Sequence, residues 1–212
     1  MLYIILSLSV VTSAFLTIRA REHGLQIKLY VFKPLTMILI TITAVITAQP
    51  DFSQYFRSVV VGLIFCLAGD VLLMLPRDRF TAGLISFLMG HVFYISAFTS
   101  GIGFGTVSWL WLPFLLYGIV MTGILLPALG KLRIPVFIYM GMIVVMAWQA
   151  WERWYVIRQV SALLAGLGAV LFLVSDSALA IHRFRRRFKY AQRLILSSYF
   201  MAQWLIALSV RQ

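Results

Sequence analysis

The sequence predicts an all-α, polytopic integral membrane protein: one transmembrane domain over residues 1–212 with about eight membrane-spanning helices. Three observations predict it. Hydrophobic residues make up 62% of the chain and charged residues 11%, where soluble domains carry about 25% charged residues. A chain this apolar cannot cover its surface with polar groups, so its solvent is lipid. Apolar runs long enough to cross a bilayer, about 20 residues each, recur along the whole length. Lys and Arg then gather in every second loop, as an even number of spans requires. The ten-residue alternating segments of a β-barrel are absent.

Taken in order, the runs place spans near 2–18, 30–48, 57–75, 81–99, 107–127, 134–151, 158–181 and 190–210. The first resembles a secretory signal, but no Lys or Arg precedes its apolar stretch and basic residues follow it, so it is expected to persist as a span. The second opens at Lys33-Pro34 and the sixth at Arg133-Ile134-Pro135. Cys66 lies inside the third run and, as the single cysteine, forms no intrachain disulfide. The fourth carries Ala82, Ser86 and Gly90 at intervals of four, a seam of small residues that brings a helix close to its neighbour.

Arg19, Arg21, Lys28, Lys33, Arg77, Arg79, Lys131, Arg133, Arg183, Arg185, Arg186, Arg187, Lys189 and Arg193 fall on one side. Only Arg57, Arg153, Arg158 and Arg211 fall on the other. The positive-inside rule makes the first side cytoplasmic. The expected location is the cell's inner membrane, with both termini outside. The net charge of +12 is thereby read as topological signal and phospholipid contact. Nucleic acid is excluded as a partner, because no soluble stretch is long enough to gather the basic residues.

The two halves repeat weakly. The prolines of spans two and six are 101 residues apart, and Gly69-Asp70-Val71 and Ser175-Asp176-Ser177 end spans three and seven 106 apart. Four spans plus four give the halves one orientation, a parallel pseudo-repeat about an axis along the membrane normal.

Of six acidic residues, Glu22, Asp51, Asp78 and Glu152 are expected in loops or at span ends, where water solvates them. Asp70 and Asp176 are not. Each lies about six residues, roughly 9 Å, inside its helix, where an ionised Asp costs at least ~2.5 kcal/mol. Two facing carboxyls in a dry site cannot both hold a charge cheaply. One stays a protonated acid beside the other's anion, the arrangement that general acid–base catalysis needs. His91 and Tyr94 in span four, Tyr139 in span six, and Tyr199 with Gln203 in span eight lie at comparable depth as candidate substrate contacts. Lys33 at the mouth of span two is a candidate for a phosphate, at the level of Arg77 and Arg133. Three histidines, with no HExxH or CxxC spacing, give no metal site, although Asp70, Asp176 and His91 would have to converge if one existed. There is no Walker loop, dinucleotide fingerprint or nucleophile elbow. Gly101–Gly105 is an uncharged loop on the wrong side for phosphate.

The run GDVLLMLPRDRFTAGLISFLMGHVFYISAF, the Lys33-Pro34-Leu35 start of span two, Pro135 with Tyr139, VSDSALAIHRF and the Tyr199/Gln203 pair resemble the YhhN-like lysoplasmalogenase family, from about residue 30 to 208. The resemblance implies a membrane hydrolase that cleaves the vinyl ether bond of lysoplasmalogens. The products would be a fatty aldehyde and a glycerophospho-choline or -ethanolamine. It implies no cofactor, and it maps the family's two proposed catalytic carboxylates onto Asp70 and Asp176. Its lysophospholipid substrate would enter from the cytoplasmic leaflet. Two rival classes remain at this stage: a proton-coupled transporter of lipids or small molecules using the two aspartates as proton sites, and a scaffold in which they only orient helices. Head-group preference, chain length and oligomeric state are not legible.

Overall fold

A computed structural model describes residues 2–48, 53–76, 79–107 and 109–211. Asp51, Arg77 and Asp78 lie outside the described residues, so the expectations placed on them are not addressed. Among those described there are eight α-helices and no strand: α1 (Leu2–Glu22), α2 (Gln26–Thr47), α3 (Gln54–Met74), α4 (Phe80–Thr99), α5 (Trp111–Leu125), α6 (Arg133–Ile157), α7 (Val160–Ala180) and α8 (Ala191–Leu208). Seven of the eight positions carry a helix long and apolar enough to cross a membrane. The exception is α8, whose apolar content is lowered by Gln192, Arg193 and Gln203. Eleven of its eighteen residues are buried, and it packs against α7, α2, α1 and α3. A helix so enclosed needs little lipid-facing apolar surface.

The tightest pairings are the hairpins α3–α4 and α7–α8. Between them, α4 packs on α6 as α8 packs on α2, the exchange of partners that a parallel repeat of four helices produces. Close approach depends on small residues. Gly90 of α4 has Cys66 Sγ 2.8 Å and the Gly62 carbonyl 3.2 Å from where a Cβ would stand, and Ser86 donates to the Phe65 carbonyl at 2.7 Å. Ala82, expected in this seam, is exposed. Gly83 takes its place on the buried face, because the helix turns 100° per residue and Gly83, Ser86 and Gly90 share one side.

Several boundaries differ from expectation for local reasons. Pro34 lies inside α2, which begins a full two turns earlier at Gln26. The proline removes one N–H from an otherwise continuous helix. Pro135 falls in the first turn of α6, where no such bond is lost. Helix α6 runs six residues past its expected end at 151, because Glu152 and Arg153 are buried and satisfied instead of solvated. The Glu152 carboxylate accepts from Thr106, from the Val107 N–H at 2.5 Å and from Gln149 at 2.8 Å. Arg153 donates to the Ser100 carbonyl at 2.7 Å and lies over the Tyr55 ring. Glu152 is therefore no water-solvated end group. It ties the α4–α5 loop to α6.

Candidate active site

Both aspartates are one turn, four residues, from the ends of their helices, Met74 and Ala180, and so slightly shallower than expected. They line one cavity of about 630 Å3 at the end of the bundle where α1, α3 and α7 finish and α2, α4 and α8 begin. Lys33, Tyr139 and Tyr199 share its wall, with Leu84, Phe87, Val136, Met140 and Leu196 among the apolar residues around them.

The two carboxyls sit in different settings. Asp70 is 2% exposed. The Lys33 ammonium lies 2.8 Å from its Oδ1, and the Tyr199 hydroxyl donates to its Oδ2 at 2.6 Å. Neighbouring Gly69 lets the Phe87 ring press against α3. Asp176 is only partly buried and borders the cavity. The Tyr139 hydroxyl donates to its Oδ2. Its flanking serines are turned into packing: Ser175 donates to the Ile195 carbonyl at 3.0 Å, and Ser177 bonds Tyr117 and the Leu173 carbonyl.

This difference follows the repeat. Lys33 and Tyr139 are 106 residues apart, as are Asp70 and Asp176, and as are Gly62 and Gly168 in the two tight hairpins. Each half thus contributes a side chain from its second helix to the aspartate of its third. One half supplies an ammonium and the other a phenol. The prolines, 101 residues apart, are not equivalent positions.

The other expected contacts lie behind the cavity, not on its wall. His91 is fully buried between the rings of Tyr139, 5.1 Å away, and Phe172, 4.9 Å away, and neither ring nitrogen has a hydrogen-bond partner in the protein. Phe172 in turn meets Tyr199 at 5.6 Å, so a chain of rings joins the partner of one carboxylate to the partner of the other. Tyr94 donates to Gln203 Oε1 at 2.6 Å in the layer behind. Arg133 is not on the wall. Among the described residues no three His, Cys, Asp or Glu side chains are grouped as ligands of one metal ion.

The mouth of the cavity carries three arginines that sequence reasoning assigned to topology alone, Arg21, Arg183 and Arg187, together with Gln26, His182 and Gln192, to which it gave no role. His182 and Arg183 lie within the wide turn Ile181–Arg185, closed by the Arg186 N–H on the Ile181 carbonyl at 2.9 Å, and Arg187 follows it. Such i→i+5 turns recur at functional sites. The signal available in the sequence was the density of arginines after VSDSALAIH, which a charge-counting reading uses up on orientation.

The sequence model of the YhhN family matches residues 29–210, which include every residue of the aspartate cluster. The chain belongs to the YhhN family. It is 32% identical to the uncharacterized membrane protein YhhN of Escherichia coli O157:H7, over 96% of this chain and 97% of that protein. It is also 32% identical to the human lysoplasmalogenase TMEM86A, over 76% of this chain and 67% of the relative, and 30% identical to the human lysoplasmalogenase TMEM86B, over 73% and 64%. No solved structure matches.

Proposed function

We propose that this YhhN-family member is a lysoplasmalogenase, hydrolysing the vinyl ether bond of 1-alkenyl lysophospholipids by acid–base catalysis between Asp176 and Asp70. The observation that carries the reading is the unequal pairing of two carboxyls on one cavity: Asp70 against an ammonium, Asp176 against a neutral phenol. The relatives' activity as lysoplasmalogenases supports the choice of substrate class.

Lys33 and Tyr199 hold Asp70 as the anion. Among the described residues Asp176 is hydrogen-bonded to a phenol and to no cation, and it opens to the cavity, so it is the group that carries a proton. Its acid protonates the β-carbon of the vinyl ether. The C=C electron pair forms the new C–H bond, and the adjacent carbon becomes an oxocarbenium ion. The faces of Phe87 and Tyr199 and the Asp70 carboxylate stabilise that cation. A water molecule, donating one O–H to a free lone pair of Asp70, adds to the cationic carbon and gives its other proton to Asp176. The hemiacetal then collapses. The bond to the glycerol oxygen breaks, Asp176 gives a proton to that oxygen, and the hemiacetal hydroxyl passes its own proton back to Asp176 as the aldehyde forms. One water is consumed and both carboxyls are restored. Positioned acid–base groups contribute about 10²–10⁴-fold each.

The alkenyl chain lies among Leu84, Val136, Met140 and Leu196, and the glycerophosphate faces the mouth on the cytoplasmic side. Purified protein in detergent, given an alkenyl lysophospholipid, is expected to release fatty aldehyde without any gradient. Flux of the lipid across proteoliposomes with no aldehyde formed would instead assign the aspartates to transport.

A further inference from the structure

We propose that the mouth of this cavity is an anion site selecting lipids with a net negative head group, a phosphomonoester ahead of a choline or ethanolamine ester. The inference rests on the proposed function for what lies deeper in the cavity, and on the mouth's own chemistry for the head group.

The charges on the cavity wall are segregated. Its carboxylates, Asp70 and Asp176, are at the inner end and already have partners. The mouth gathers Arg21 from the end of α1 with Arg183, Arg187 and His182 from the α7–α8 turn, and Gln26 and Gln192 add neutral donors. Arg21 is oriented by its Nε donating to Gln192 Oε1 at 3.3 Å, which leaves its two terminal nitrogens to form a fork for phosphate oxygens. Arg187 is exposed at the turn. The Nδ1 of His182 accepts the Phe188 N–H at 3.4 Å, leaving Nε2 as its donor.

A choline or ammonium group would need an acidic or aromatic partner here, and among the described residues both kinds are engaged. Glu22, next to Arg21, is held by two donors of one Arg193 guanidinium edge, Nε and Nη2. The rings of Phe80 and Phe184, the aromatic side chains of the wall at the turn, both lie against the Arg183 guanidinium, at 3.9 Å and 5.9 Å. A quaternary ammonium brought here with its phosphate meets guanidinium groups, and that repulsion offsets part of the phosphate's attraction.

The test is binding of saturated 1-alkyl ether lysolipids, which have no vinyl bond to cleave, to the purified protein in neutral detergent by titration calorimetry. Alkylglycerophosphate is expected to bind about tenfold or more tighter than alkylglycerophosphocholine at low salt, with the gap narrowing as salt screens the mouth. The double variant Arg21→Gln/Arg187→Gln should lose most of that gap, its affinity for the alkylglycerophosphate falling well below wild type and its affinity for the choline lipid falling less. Inorganic phosphate should compete only weakly. Equal affinity for the two lipids, a gap unchanged in the double variant, or inorganic phosphate binding as tightly as the phosphate lipid would each overturn the proposal. Preference without any vinyl ether hydrolysis would instead remove the hydrolase reading and leave the anion site standing.

Discussion

At the scale of single residues, the account depends on what stands beside each carboxyl. Both aspartates were legible in the sequence, because a carboxyl inside an apolar span is costly wherever it occurs. Their partners were not. Lys33 was expected at a phosphate, and it lies against Asp70; which helix face meets which is set by packing between segments 37 residues apart, and no local pattern records it. Lys33→Met should therefore lower kcat by about 10²-fold, the size of one acid–base contribution, with KM moving little. Initial rates over a range of lysolipid concentrations separate this from a phosphate-binding role, which would raise KM and spare kcat. Glu152 was misjudged from the sequence for a related reason. A charge near a span end is normally solvated, and only the fold brings Thr106, Val107 and Gln149 onto it.

At the scale of helices, the repeat is carried by side chains with a job in packing or chemistry, so the aspartate spacing survived while the proline spacing did not. The glycines show the packing half of this. At Gly168 a Cβ would stand 2.9 Å from the Ala202 carbonyl and 2.8 Å from Ile206, and backbone cannot give way as a flexible side chain can. Gly168→Ala should destabilise the protein by ~1–3 kcal/mol, seen as a lower Tm in detergent. Gly123, which has open space around its would-be Cβ, is the control whose change to Ala should leave Tm level or slightly raised. Glu152→Ala leaves the Val107 N–H and Gln149 without their acceptor, and buried unpaired donors cost ~1–3 kcal/mol each. Hydrogen exchange should rise in the α4–α5 loop while the aspartate cavity, at the other end of the bundle, keeps its activity. Of the eight helices the last is the one whose composition alone does not mark it as a span, since enclosure relaxes the need for apolar residues that identifies a span.

At the scale of the whole molecule, the fold class and the common end of the aspartates followed from composition and charge alternation, and the structure supplies the cavity that joins them. The ends of α1, α3 and α7 border one opening, and the excess of Lys and Arg on that side supports our proposal that it faces the cytoplasm. In a Cys66→Ser background, a cysteine introduced at Arg187 should react with impermeant maleimide only in inverted vesicles. One introduced at Thr106 should react only in intact cells or right-side-out vesicles. The reverse pattern would turn the cavity to the outer leaflet. The most direct test of the central claim, that Asp176 protonates carbon while Asp70 serves as the anion, is hydrolysis of an alkenyl lysophospholipid in D2O by wild type, Asp176→Asn and Asp70→Asn. The account predicts aldehyde carrying one deuterium on the carbon next to its carbonyl, a slower wild-type rate in D2O than in H2O, and no aldehyde from either variant while both keep the wild-type Tm. Aldehyde formed at the wild-type rate by Asp176→Asn, or free of deuterium, would contradict it.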